Sequence, residues 1–385
     1  MCHSDYSTRS MDNVIAVLER SDRVCRIYLM YLRSSDLEIF LAKMQQPFPE
    51  LTHLKLHAHG ETVPIIPDSL LGGSALRLES LMLEGIPFPG FPKLILSATH
   101  LDTLCLEDIP HSGYISPEAM VTALSALTGL EELSIRFQSP RSCPDQASRR
   151  LPSSKRSVLP VLTSFTFKGV GEYLEDLVVS IDAPQLDALD ITFFNDIVFD
   201  TPQFIQFISR TPTSRALEEA RIIFWNGAAS TNFSSRTSGH GKLNVKTLCR
   251  GLDWQVSSLE QVCTSCLPPL STSEVLYIYE RPHLQLDSQY DIENGPWQDL
   301  LRSFAAVKNL FISKKLAPRI VPALRELVEG RTLEVFPTLQ SIFLEGFESS
   351  GSVQEGIEQL VAARQAVGHP IVVSRWANPE NEKFY

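Results

Sequence analysis

The chain has 385 residues, 43% of them apolar, and no apolar run approaches the roughly 18 residues that a membrane-crossing helix needs. Lysine and arginine total 34 against 45 acidic residues, a net charge of −11 with no basic cluster to track a phosphate backbone, so neither a membrane nor a nucleic acid is an expected partner. The seven cysteines follow no framework spacing and read as reduced thiols buried as small hydrophobes, and the first residues carry acids and hydroxyls where a secretory leader would be apolar. Cytoplasm or nucleus is the expected location.

In chain order, residues 11–20 place Val14, Val17 and Leu18 on one side of a lead-in helix, and residues 1–23 read as an N-terminal cap. A three-residue aliphatic skeleton then appears as Val24-x-x-Ile27-x-Leu29, Leu51-x-x-Leu54-x-Leu56 and Leu78-x-x-Leu81-x-Leu83, each 27 residues after the last. The last two members of each skeleton stand two apart, so on an extended segment they share one side while Ser80, Met82 and Glu84 take the other. Between the first two skeletons, Leu37, Phe40, Leu41 and Met44 fall at helical spacing after Ser34 to Asp36, completing a strand, helix, strand period. Ala75 to Pro87 recurs almost line for line at Ala98 to Pro110, which marks a repeat rather than a coincidence of propensity. One such unit cannot bury its leucines alone. At about 1.5 to 3 kcal/mol per buried leucine, a core forms only when several units share it.

The skeleton continues at Leu130, Leu162, Leu186 and Leu217, with Ser116 and Pro117 opening one intervening helix and Thr201 and Pro202 another whose Phe204, Phe207 and Ile208 point inward. Residues 139–157 are Ser/Pro/Arg-rich and 226–242 Gly/Ser/Thr-rich, and both read as loop insertions. A faint unit at Leu243-x-Val245 precedes a helix expected over 257–266, and clear strands return at 275–279, Val307-x-x-Leu310-x-Ile312 and Leu339-x-x-Ile342-x-Leu344. A helix is expected over 318–329, and residues 351–385 read as a terminal helix with Ile357, Leu360, Val361 and Arg364 inward, a short strand at 371–373 and a tail. The expected fold is therefore α/β. It is an irregular leucine-rich repeat solenoid, a horseshoe of about eleven units over 24–350, with parallel strands on the concave face and helices or loops on the convex face.

Alternation assigns the open side of each strand. In the first half it is polar and mixed in charge, with His53, Lys55 and His57, Cys105 and Glu107, Arg136, and Lys168. In the second half it is aromatic, and Tyr277, Tyr279, Phe311 and Phe343 are expected to form one exposed cluster that grips a protein, unless the tail ending Lys383-Phe384-Tyr385 folds over it. Catalytic motifs are missing. Cys263-Thr264-Ser265-Cys266 has metal spacing but no second pair, His57-Ala58-His59 reads more simply as solvated histidines, and Ser238 to Lys242 lacks the first glycine and the hydroxyl of a phosphate loop. No catalytic, metal or cofactor site is expected.

Residues 11–27, 47–56, 173–186, 200–204 and 249–263 resemble the fungal F-box-associated leucine-rich repeat proteins, and the resemblance spans nearly the whole chain. It implies the substrate-receptor half of a ubiquitin ligase subunit. The F-box itself, which in that family binds a Skp-type adaptor, is not found before Met11, so no residue of it carries over and adaptor binding is expected only if an F-box lies upstream. The alternative is a stand-alone repeat adaptor without a ligase connection.

Overall fold

Strands form where the skeleton predicts them, because a β-branched or leucine pair two residues apart gives each segment one apolar side and one polar side. In this computed structural model the described residues are 8–60, 63–88, 93–142, 156–194, 201–212, 217–235, 241–266, 273–281, 294–329, 336–346 and 351–377. They divide into two units, Met1–Leu186 and Asp187–Tyr385.

The first unit runs α1 (Thr8–Leu18), β1 (Arg26–Arg33), α2 (Ser34–Lys43), β2 (His53–His59), β3 (Ser80–Glu84), α3 (Lys93–Ser97), β4 (Thr103–Ile109), α4 (Pro117–Leu124), β5 (Glu132–Phe137), β6 (Ser157–Val158), β7 (Ser164–Gly169), α5 (Gly171–Val178) and β8 (Ile181–Asp182). Its main sheet is parallel in the order β1-β2-β3-β4-β5-β7, and β6 pairs separately with β8. Ile27, Leu54, Leu81, Leu104, Leu133 and Phe165 are successive register partners, so the skeletons stack without a slip. The same junction recurs just before each strand. The N–H groups of Thr52 and His53 both donate to Cys25 O, those of Glu79 and Ser80 to Thr52 O, and those of Asp102 and Thr103 to Glu79 O. Glu131 and Glu132 then donate to Asp102 O, and Thr163 and Ser164 to Glu131 O. Equivalent residues holding equivalent residues is what a stacked repeat is, stated in hydrogen bonds.

The leucine side of the sheet is buried, with Leu37, Phe40 and Leu41 of α2 and Tyr173, Leu174 and Leu177 of α5 closing it. Toward β7 rings replace leucines, and Phe137 lies 4.8 Å from Tyr173 and 6.4 Å from Phe167 between ring centroids. Ser116 caps α4 as expected, its Oγ accepting from Ala119 N at 3.3 Å, with Pro117 in the first turn. The lead-in helix is shifted. It spans Thr8–Leu18, and Leu18 is buried whereas Val17 is 57% exposed, so the expected inner face narrows to its last residue.

The second unit runs β9 (Ala188–Phe194), α6 (Pro202–Arg210), β10 (Glu219–Trp225), β11 (Ala228–Ser234), β12 (Lys242–Leu248), α7 (Leu252–Gln261), β13 (Val275–Glu280), α8 (Asn294–Arg302), β14 (Asn309–Ile312), α9 (Ala317–Glu329), β15 (Ser341–Glu345), α10 (Ser352–Ala366) and β16 (Val372–Trp376). Its strand order is β9-β12-β11-β10-β13-β14-β15-β16. Two of the pairings, β10 with β11 and β11 with β12, are antiparallel, and the rest are parallel.

This corrects the loop expected over 226–242. Asn226 and Gly227 form a two-residue connection with Gly227 at φ 80°, Trp225 pairs with Ala228 across it, and β11 then runs back beside β10. Small and β-branched residues that read as linker are strand residues because the hairpin puts a paired neighbour on each side of them. The faint unit at Leu243 is β12, paired with β9 and not with β10. Alpha-7 starts five residues earlier than expected, at Leu252, and ends in a π-helical turn over Val262–Cys266. The inward residues of α6 and α10 are as predicted except Val361, which is only partly buried. The terminal strand extends past 373 to Trp376. Most of the 139–157 insertion, and the tail from 378 onward, lie outside the described residues.

Candidate functional site

In the second unit, register fixes a row of side chains on the face opposite the helices. Arg221 of β10 pairs with Tyr277 of β13, Tyr277 with Phe311 of β14, Phe311 with Phe343 of β15, and Phe343 with Ser374 of β16. Neighbouring strands stand about 4.8 Å apart, and the rings close on one another within that spacing. Tyr277 and Phe311 stack at 4.4 Å and 20°, and Phe311 and Phe343 at 4.3 Å and 7°. All three remain partly exposed. Trp376 leans onto the stack, 5.5 Å from Phe311 at 69° and 5.9 Å from Tyr277. The result is a continuous aromatic ladder, each pair worth about 0.5 to 1.5 kcal/mol beyond its buried area.

Arg221 closes one end of the ladder, its guanidinium carbon 5.4 Å from the Tyr277 centroid. Burial works to lower its pKa, but the Glu219 carboxylate, accepting from Arg221 Nε at 2.6 Å, overcomes that and holds the guanidinium above its ordinary value. A second cation and ring lie nearby on this face, Lys246 Nζ standing 4.9 Å from the Trp225 centroid. Further along the row, Asn232 is the register partner of Arg221 and Asn244 that of Asn232, and Asn244 Nδ2 donates to Asp190 Oδ2 at 3.0 Å. An aromatic end thus passes through a guanidinium into an amide end.

Tyr279 does not join the cluster. Alternation puts it on the same side as Tyr277, yet it is 4% exposed, and its row neighbours Ile223 and Ser230 are buried with it. Parity decides which side a residue points to, not how deeply its surroundings bury it. Trp376 and Arg221 are the members that the sequence reading missed. Arg221 stood at the open position of Leu217-x-x-Ala220-x-Ile222, and alternation carried three residues beyond Val373 would have reached Trp376.

In the first unit His53, Lys55, His57, Arg136 and Lys168 are on the open face, and four of them contact a neighbouring side chain. His53 Nδ1 stands 2.8 Å from Thr52 Oγ1. His57 Nδ1 is 3.8 Å from Glu84 Oε2, and the Tyr31 ring meets the imidazole edge-on at 4.8 Å. Ser134 Oγ donates to Glu107 Oε1 at 3.2 Å, Arg136 Nη1 stands 3.5 Å from the same oxygen, and Lys168 Nζ lies 3.4 Å from Asp108 Oδ1. Two left-handed residues aim this network: Tyr31 at φ 57° and Asp108 at φ 47° sit where the register of β1 and β4 breaks. Lys55 and Arg136 flank Cys105, which is 2% exposed rather than open. Burial pushes that thiol up to about 12, with Glu132 and Glu107 adding to the shift, which disfavours the thiolate form.

Among the described residues no group of three potential metal ligands comes together, and Cys105, Cys249 and Cys263 are buried cysteines outside any disulfide, whereas Cys25 is exposed. Gly241, in the stretch weighed as a phosphate loop, spends its N–H on Asp187 Oδ1 at 2.7 Å. No helix of the described residues is long and apolar enough to cross a membrane.

No family model matches the chain, and no curated protein does. Among solved structures it is similar to the leucine-rich repeat-containing protein LegL7 from Legionella pneumophila, at 12% identity over 91% of this chain and 89% of that one, with a TM-score of 0.30. The repeat character of each unit rests instead on its own register and junction hydrogen bonds.

Proposed function

We propose that the chain is a non-catalytic scaffold that binds another protein on the open faces of its strands, with the Tyr277, Phe311 and Phe343 ladder as the anchor. The observation that carries this reading is the ladder itself: three stacked rings left partly exposed on a rigid sheet, the residue type and setting that dominate interface energetics. The paired charges around Glu107 and Asp108 would set orientation and encounter rate rather than affinity. The finer form of the proposal is that the units continue as a horseshoe with these faces on its concave side, and that the chain acts in the cytoplasm or nucleus as the substrate receptor of an F-box-type ubiquitin ligase. Its resemblance to that fungal family supports this form.

Alanine at Tyr277 or Phe311 is expected to abolish partner binding in a pulldown at a temperature where the variant is still folded, the melting temperature falling only by the lost ring stacking; unaltered binding overturns the reading. Tyr279 is the control, since its burial makes Tyr279→Ala destabilising instead. Coprecipitation of a Skp-type adaptor with the product of the full genomic reading frame separates a ligase subunit from a stand-alone adaptor.

A further inference from the structure

Charge on the open face of the first unit is unevenly distributed. Across β1, β2 and β3 the register rows run Arg26, His53, Ser80 and then Tyr28, Lys55, Met82. The three strands hold Arg26, Arg33 and Lys55 against one carboxylate, Glu84, which His57 Nδ1 already meets at 3.8 Å. Acids that flank these strands in the chain are answered elsewhere: Asp22 stands 3.8 Å from Arg23, Glu19 takes Lys43 at 3.1 Å, and Glu50 takes Arg77. Glu79 stands at the start of β3 as Thr52 stands at the start of β2, and Glu132 shares the row of Arg26 but lies four strands away. Among the described residues neither Arg26 nor Lys55 has a hydrogen bond or an ion pair.

These two cations stand over an apolar floor. Lys55 is partly buried, with Tyr28 and Met82 as its register partners, whereas Arg26 is exposed and Tyr28 is 53% exposed. Arg26 and Lys55 are diagonal neighbours. A strand spacing of about 4.8 Å and a two-residue rise of about 6.6 Å put their Cα atoms about 8 Å apart, within which two long side chains can reach one carboxylate. Strand β1 is the outermost of the sheet on this side, so no further strand crowds Arg26 among the described residues.

We propose that Arg26 and Lys55 form a subsite for an acidic side chain, aspartate or glutamate, of the protein partner, with Tyr28 and Met82 packing against its methylene stem. This rests on reading the open faces as the partner surface. An ammonium partly withdrawn from water without an acceptor gains from a carboxylate brought to it, and Arg26 adds a planar fork that matches two oxygens. A phosphate fits less well, because phosphate sites draw on backbone N–H groups, and those of a sheet point along its plane at the neighbouring strands. The net charge of −11 repels an acidic segment at long range, but at physiological salt such fields fade beyond about 8 Å and the local cations decide.

The test is selection of a random displayed peptide library on the full chain, followed by affinity measurement with synthetic copies of the selected peptides. The expected result is an aspartate or glutamate at one fixed position, whose change to the amide weakens binding about tenfold, as Lys55→Met does, while Arg26→Gln costs about threefold and Lys55→Arg little. The losses of Lys55→Met and of the peptide change should not add, because both remove one contact. Lys55→Met is also expected to keep the wild-type melting temperature, since the lysine has no partner to lose; a fall of several degrees would make Lys55 structural and overturn the subsite. Peptides without a preferred acid, or an acid whose amide costs as much against Lys55→Met as against the wild type, overturn it as well. So does tighter binding of peptides carrying phosphoserine in place of the acid, which would make the site one for phosphate. If Phe311→Ala abolishes binding while Lys55→Met changes nothing, the acidic subsite alone fails; if both variants bind every selected peptide as the wild type does, the open-face reading fails with it.

Discussion

Buried charge in the second unit is concentrated on two side chains that do opposite things. Glu280 is 6% exposed and accepts from the buried Ser313 hydroxyl, and burial raises its pKa above the usual carboxylate range despite that hydrogen bond. An acid whose folded pKa is raised contributes its full share of stability below the unfolded value of about 4.3 and loses it as pH climbs through the folded value. Glu280→Gln is therefore predicted to be more stable than the wild type near neutrality and to flatten the fall in urea midpoint as pH rises above about 4.3; parallel curves for the two proteins would contradict this. Arg364, 2% exposed, donates to Phe336 O and Leu339 O at 3.2 Å each. Arg364→Met leaves the Leu339 carbonyl without its guanidinium donor and Phe336 O with only the Leu339 N–H, and should cost roughly 1.5 to 3 kcal/mol by chemical denaturation, with Arg364→Lys a poor rescue because a point charge cannot span two acceptors. Helical spacing already placed Arg364 on the inner side of α10. Its purpose was not legible, because the carbonyls it satisfies belong to a turn in another element.

At the scale of elements, what could be read was whatever depends on a residue and its near neighbours. A leucine pair two apart makes the same demand in every unit, so β2, β3 and β4 lie where alternation predicts, and in mutual register. The turns that follow are as local. Gly85 takes φ 70°, and a Cβ there would stand 2.5 Å from the carbonyl oxygen of Ala58, a backbone atom unable to yield. Gly85→Ala should cost about 1 to 3 kcal/mol and more than Gly227→Ala, where φ is equally left-handed but nothing lies within 4 Å; the reverse order of melting temperatures would contradict the assignment. The antiparallel excursion through β11 was not read, although Asn226-Gly227 is a hairpin signal, because Ala-Ala-Ser-Thr-Asn carries no aliphatic skeleton and owes its strand to the partners on either side. Trp376 was missed for a related reason: β16 buries no side chain fully, so its pattern is faint.

Over the whole molecule, an excess of acidic residues meets open faces whose visible charges are largely paired, so long-range attraction and short-range grip come from different residues. For a basic partner, raising ionic strength is predicted to slow association while leaving dissociation, governed by the aromatic ladder, nearly constant; a salt effect confined to the dissociation rate would refute that division. All of this requires that the ladder rings be reachable while the rings of the core are not. Hydroxyl-radical footprinting of the full chain without a partner measures this directly. Tyr277, Phe311 and Phe343 should be modified more slowly than the exposed Tyr28 and Tyr31 but well ahead of the fully buried Phe165, Phe167 and Phe224. Ladder rings as protected as those core phenylalanines would mean that the face is closed, and would contradict its role as a binding surface.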